Sequence, residues 1–293
     1  LFSLYILLSF IGEIRDRQKL TTIFSQYVPP ELVEEYSRDP GTISLEGEAR
    51  EVTVLFCDVY GFTSISEKLE PRVLAQWLNR YFSIISQVVV EHGGTLDKYM
   101  GDSIMAFWGA PVHNESHAEN ALAAALDMQR CIKALSETYQ AEGLPAISIG
   151  IGLSTGVSNV GNLGSQYRMS YTVVGDTVNT AQRLERQTRH YHVPIIVSAS
   201  TAEKTEGMLY RELDIVKVKG REQFTRMFQP ICPAVSATPE LLENLAAHKR
   251  AMTYLMNKDW TSAARLFESL RERWSSDSVC DIYLKRIAKL RNP

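Results

Sequence analysis

The chain has 293 residues, 45% of them hydrophobic and 22% charged, an ordinary globular composition that excludes a disordered or fibrous protein. Lys and Arg number 31 against 34 Asp and Glu, so the formal net charge is −3 and no basic field exists to hold nucleic acid. The four cysteines, Cys57, Cys131, Cys232 and Cys280, form no CxxC or Cys/His cluster, which argues against a zinc site or a disulfide framework and for reduced, packing thiols.

Residues 1–14, LFSLYILLSFIGEI, are apolar up to Glu13 but shorter than the ~20 residues that span a bilayer. No small-residue cleavage site follows, and Arg15, Arg17 and Lys19 come next, as on the cytoplasmic side of a span. With Leu1 rather than Met at the start, the segment reads as the inner end of a transmembrane helix in a longer protein; a buried or coiled-coil helix is the alternative. That reading puts the chain at the cell inner membrane with its folded part in the cytoplasm. Residues 15–36 look helical and amphipathic, broken at Pro29-Pro30. Pro40, Gly41 and Gly47 then mark a linker, so 15–47 is expected to be a signalling helix and its connection.

Residues 52–57, VTVLFC, are a continuous apolar run of β-formers and predict a buried strand. Residues 71–90 repeat Val73, Leu74, Trp77, Leu78, Tyr81, Ile84, Ile85 and Val88 at helical spacing, and Gly93-Gly94 ends that helix. Strands are predicted over 95–99 and 103–108, joined by a tight turn at Met100-Gly101-Asp102. A helix over 115–141 follows, then strands over 146–154 and 169–174. A helix over 176–188 is predicted to open on Asp176 as its cap. Strands over 193–197, 209–218 and 224–228 complete a mainly antiparallel sheet, expected to carry its helices on one face in an α+β arrangement. Pro230 to Pro239 reads as a second linker. From Glu240 onward the chain is helical, with one tetratricopeptide-like helix pair around Leu255 and Trp260, a cap or docking element rather than a repeat array.

Three segments bear chemistry. In FCDVYGFT, Asp58 ends a buried strand, where a carboxylate is costly unless paired or metal-bound, and Gly61-Phe62-Thr63 offers backbone N–H groups to an anion. Alone, an aspartate at a strand end is more often a helix or turn cap. In DKYMGDS, Asp102 sits in the hairpin turn, where a neighbouring strand could bring it beside Asp58. Two such carboxylates suit Mg²⁺, which binds through one or two of them plus substrate phosphates, unless Asp102 is a plain turn residue. In YTVVGDTVNTAQR, Asn179 and Arg183 share a helix face at i, i+4, fit for a ribose oxygen and a phosphoryl charge, or simply for solvent.

Together, FCDVYGFT, LDKYMGDSIMAFWG and VVGDTVNTAQRLE, in this order, resemble the class III adenylyl and guanylyl cyclase catalytic domain over residues 48–230. The resemblance implies a ferredoxin-like α+β domain with an antiparallel-dominated sheet, followed by a helical extension over 231–293. It implies two divalent cations per site, Mg²⁺ or Mn²⁺ with Ca²⁺ a further option, held by Asp58, Asp102 and the carbonyl of Val59. Lys98 and Thr172 match the purine-reading pair, Asn179 the residue orienting the ribose, and Arg183 the one stabilising the transferring phosphoryl. Lys219 matches a triphosphate-binding lysine, and Phe62 and Thr63 the phosphate-cradling turn. The implied reaction is attack of the ribose 3′-hydroxyl on the α-phosphorus of ATP, giving cyclic AMP and pyrophosphate. Lys with Thr also marks a subgroup with bicarbonate-responsive members. Family members share each site between two subunits, and this chain carries both sets of residues, which implies a homodimer. A guanylate cyclase, or a pseudocyclase that binds nucleotide without turnover, remains open. Tyr60 departs from the pattern, standing where bacterial relatives commonly carry Arg, with a role at the dimer surface or in coupling to the upstream helix as the expectation.

Overall fold

The structure, a computed structural model, describes residues 47–165, 167–217, 224–274 and 278–291. The expected membrane and signalling helices of residues 1–46, and Lys219, lie outside the described residues. Among the described residues no helix is long and apolar enough to cross a membrane.

The apolar run at 52–57 forms the middle of β1 (Glu48–Val59). A short helix α1 (Phe62–Ser66) and the amphipathic α2 (Pro71–Glu91) follow, then the hairpin β2 (Thr95–Met100) and β3 (Ser103–Trp108), and the long helix α3 (His117–Ala141). Next come β4 (Ile149–Ser165), β5 (Arg168–Val174), α4 (Asp176–Tyr191), β6 (Ile195–Ser198), α5 (Ala199–Glu203), β7 (Met208–Lys217) and β8 (Phe224–Pro233). The sheet runs β2-β3-β1-β4-β6-β8-β7, with β5 paired to the far end of β4. Among the described residues only the β4–β6 pairing is parallel.

Alternation along β1 divides the interior. Leu55, Cys57 and Val59 face α2 and α3, packing with Trp77, Tyr81, Ile85 and Met128. Val52, Val54 and Phe56 face the other way, with Met105, Phe107, Val160, Val173 and Ala181. Burial pushes the Cys57 thiol up to about 12, in keeping with a packing group.

Helices therefore cover both faces, which corrects the expectation of one. The reason is a row of glycines on β4. A Cβ on Gly152 would lie 2.2 Å from the Glu185 amide nitrogen and 2.3 Å from the Ala181 carbonyl oxygen, and one on Gly150 or Gly156 would strike Thr188 or Thr177. The small residues that alternate with Ile149, Ile151 and Leu153 are thus the bed on which α4 lies.

Three further boundaries differ from expectation. β4 continues to Ser165, because its second half is held by ladders to β1 and β5 rather than by apolar side chains. β8 runs on to Pro233 through its pairing with β7, into the expected linker. The cap of α4 is Gly175, with no side-chain hydrogen bond; Asp176 is the first helical residue, where its charge meets the positive end of the helix.

The C-terminal helices α6 (Pro239–Met256), α7 (Trp260–Arg273) and α8 (Ser278–Arg291) start from side-chain caps at Thr238 and Asp259 for the first two. Phe267 stacks on Tyr283 with ring centres 4.8 Å apart. Their core is continuous with Leu184, Tyr191, Val193, Ile196, Leu213 and Met227 of the preceding domain. Arg286 and Tyr191 both donate to Oδ2 of Asp214, at 2.6 and 2.7 Å, which ties α8, α4 and β7 together.

Candidate active site

Register places the two aspartates side by side. Cys57 pairs with Ile104, so Asp58 stands beside Ser103 and the next residue back, Asp102, reaches the end of β1. The Val59 amide donates to Asp102 Oδ2 at 3.2 Å. Ser103 Oγ donates to Asp58 Oδ1, and the Arg189 guanidinium pairs with Asp58 Oδ2. The same guanidinium nitrogen lies 3.5 Å from the Val59 carbonyl oxygen. Burial, and then the charge of Asp58, raises the Asp102 carboxyl to about 6.

Asp58 opens on a polar cleft of about 210 Å³ walled by Ser103 and by Gln182, Glu185, Arg186 and Arg189 of α4. Glu185 is 5% exposed, and burial followed by the Asp58 charge pushes its carboxyl up to about 7. Among the described residues no three His, Cys, Asp or Glu side chains form a metal cluster. The donors are two carboxylates and the Val59 carbonyl, all oxygen, on an anionic pair that already draws a guanidinium. That set fits a hard cation that completes its shell with water and phosphate.

Lys98 and Thr172 meet elsewhere, on β2 and β5, with Lys98 Nζ 3.3 Å from Thr172 Oγ1. Asp97 joins them, accepting from Thr172 Oγ1 at 2.5 Å and lying 3.2 Å from Lys98 Nζ. Asn179 and Arg183 follow one another on α4 but belong to neither group. Asn179 is exposed, and Arg183 Nη1 is buried without a hydrogen-bond partner. At 3.6 residues per turn their face lies about 90° round the helix from the stripe Gln182, Glu185, Arg186 and Arg189 that lines the cleft. Phe62 and Thr63 form the first turn of α1 behind Gly61, whose φ is 68°. The first helical bond there runs from Ile65 to Gly61, so the two amides precede it. Phe62 also rests 6.4 Å from the ring of Trp77. Tyr60 turns inward, its hydroxyl donating to the Val193 carbonyl at 3.2 Å and its ring lying beneath the Arg189 guanidinium.

Sequence reasoning missed Asp97, Ser103, Glu185 and Arg189. The stripe at 182, 185, 186 and 189 carries the i, i+3, i+4, i+7 spacing that would have shown four of the cleft's polar groups on one helix face.

A family model described as the adenylate and guanylate cyclase catalytic domain matches residues 46–229. Adenylate cyclase 1 of Rhizobium meliloti is 35% identical over 209 residues, covering 71% of this chain; the chain spans only 31% of that relative's length. The crystal structure of the adenylyl cyclase CyaB from P. aeruginosa superposes with a TM-score of 0.59 at 32% identity, over 64% of this chain and 96% of that one. The guanylyl cyclase Cya2 superposes as well, with a TM-score of 0.60 at 33% identity over 66% and 96%. Motifs, fold and family model agree over the same stretch, and the chain belongs to the adenylate and guanylate cyclase catalytic domain family.

Proposed function

We propose that the chain is an adenylate cyclase, converting ATP to 3′,5′-cyclic AMP and pyrophosphate in a homodimer whose sites are shared between two copies. One observation carries the shared site. The α4 face turned to Asp58 in the same chain holds Gln182, Glu185, Arg186 and Arg189, while Asn179 and Arg183 do not line that cleft. A centre that uses Asp58 together with Arg183 takes them from two copies, and a two-fold axis makes two such centres.

Asp58, Asp102 and the Val59 carbonyl would hold the divalent ions, which would supply positive charge at the ribose 3′-hydroxyl and the departing pyrophosphate. The protein's own part is positioning. Asn179 orients the ribose, and Arg183 brings a fixed positive charge to the α-phosphoryl group as negative charge spreads over it. Lys219 and the amides of Phe62 and Thr63 hold the triphosphate. Lys98 faces the purine N1 acceptor and Thr172 the N6 donor, which supports ATP over GTP. Likeness to both adenylyl and guanylyl cyclases leaves that choice to these two residues.

We also place the domain on the cytoplasmic side of the cell inner membrane. Residues 1–14 are then the end of a span and 15–47 the signalling segment that leads into it. Recovery of the full protein in the soluble fraction would reject that placement.

The main test mixes two variants. D58A keeps Arg183, and R183A keeps the aspartates; each alone is expected to be inactive with Mn²⁺ and ATP. A refolded equimolar mixture has half its dimers mixed, each with one intact site, and recovers about a quarter of wild-type activity. No recovery despite mixed dimers rejects the shared site. Absence of any cyclic nucleotide from ATP or GTP, by mass, rejects the cyclase reading.

A further inference from the structure

Asp97 is set in an unusual way. Along β2, Leu96 pairs with Ala106 and Lys98 with Met105, so Asp97 is the extra residue of a β-bulge. In a regular strand neighbours point to opposite faces, and Asp97 would turn away from Lys98. The bulge re-aims them, as bulges beside functional sites do, and both side chains arrive at Thr172. The Asp97 side chain has no exposed surface, and Thr172 is 7% exposed. The contact is therefore dry, and its hydrogen-bond polarity is fixed by the protein rather than by solvent.

A threonine hydroxyl owns one proton and two lone pairs, and left to itself it donates or accepts as the ligand asks. Here the proton is committed. Asp97 beside the Lys98 ammonium is an acceptor only, and Thr172 Oγ1 donates to its Oδ2 at 2.5 Å. Burial raises the Asp97 carboxyl, and the Thr172 hydrogen bond and the Lys98 charge oppose that shift. With Asp97 as the carboxylate, what Thr172 can offer a base is a lone pair.

We propose that Asp97 is a positioning residue that makes Thr172 an obligate acceptor, so that the site takes purines with a donor at position 6 and rejects those with an acceptor there. This rests on the adenylate cyclase reading and extends it to a residue outside the purine-reading pair. Adenine N6–H₂ then meets a lone pair while N1 meets the Lys98 ammonium. Guanine O6 would meet that same lone pair, oxygen against oxygen, and its N1–H would face an ammonium. An unconstrained Thr172 would instead swing its proton toward O6 and blunt the discrimination.

The test uses two nucleotides of equal size that differ at one atom. N6-methyl-ATP has N–H at position 6, 6-methoxypurine riboside triphosphate has oxygen, and both keep an N1 acceptor. Affinity of the full 293-residue chain for each is measured by calorimetry with Ca²⁺, and kcat/KM with Mn²⁺. The wild type is expected to favour the N–H compound by about tenfold or more, the worth of one well-placed hydrogen bond against a repulsion. D97N, whose amide can donate to Thr172 and release its proton, narrows the ratio several-fold; D97E keeps it. In T172V the preference disappears, and adding D97N changes nothing further. If D97N does not fold, Asp97→Ala, which has no acceptor and leaves the Thr172 proton unclaimed, is read the same way. A wild-type chain that binds both compounds equally, or a folded D97N or D97A with an undiminished ratio, overturns the proposal. Binding discrimination without turnover would reject the cyclase reading and leave this inference standing.

Discussion

The amide of Val59 donates to Asp102 across 3.2 Å, so the end of β1 grips the turn between β2 and β3 and holds two carboxylates together. The contact brings Asp58 and Asp102 close enough that their charges oppose each other.

That opposition has a pH signature in metal-free protein. The Asp102 carboxyl is raised to about 6 from an ordinary value near 4. A folded-state value above the unfolded one means that stability is whole below pH 4, declines as pH climbs to about 6, and stays lower beyond. The bound is about 3 kcal/mol, and solvent screening of a half-buried group reduces it to roughly 1 kcal/mol. D102N should melt above wild type at pH 7.5 without metal and match it at pH 4. With Mn²⁺ and ATP, D102N should lose activity by roughly 10²–10³-fold. Equal melting at both pH values would argue against the strained pair.

Arg183 should behave as a transition-state group. Its Nη1 is buried with no partner, a donor held ready. R183A is expected to lower kcat by roughly 2–4 kcal/mol of transition-state stabilisation and to leave KM within a few-fold. A rise in KM at constant kcat would assign Arg183 to ground-state binding instead.

Two glycines should differ in kind. Gly152→Ala drives a Cβ into the backbone of α4, and overpacking against atoms that cannot yield costs about 3 kcal/mol or more. Gly61, at φ 68°, meets nothing within 4 Å, so Gly61→Ala should cost only about 1 kcal/mol of left-handed strain. Chemical denaturation of the two variants reads the difference directly.

Phe267 touches no part of the active site, yet Phe267→Ala should lower stability by about 3–5 kcal/mol. Because its core runs into Leu184 and Tyr191 of α4, thermal unfolding should remain one transition. Two separate transitions would show that the extension folds on its own.

The sequence made legible what side-chain pattern encodes. VTVLFC gave β1, the Trp77 and Tyr81 periodicity gave α2, and Met100-Gly101-Asp102 gave the hairpin turn. It hid what backbone pairing encodes. The second half of β4, polar and glycine-rich, carries no apolar alternation, and the bulge at Asp97 breaks the period-two rule on which strand reading depends. Arg189 stayed hidden because its partner Asp58 is 131 residues away. The motif residues themselves were readable; their separation into one group at Asp58 and another at Lys98 came only from the folded chain.

The seam joining α4 to the C-terminal helices has a genetic consequence. Asn179, Arg183 and Arg189 ride on a helix bedded on glycines on one side, and its Leu184 and Tyr191 share one core with Phe267 and Tyr283 of the C-terminal helices. A random mutagenesis screen for lost cyclase output should therefore recover lesions well beyond the signature motifs, in a region that a motif search passes over. Second-site suppressors of those lesions should map back to α4.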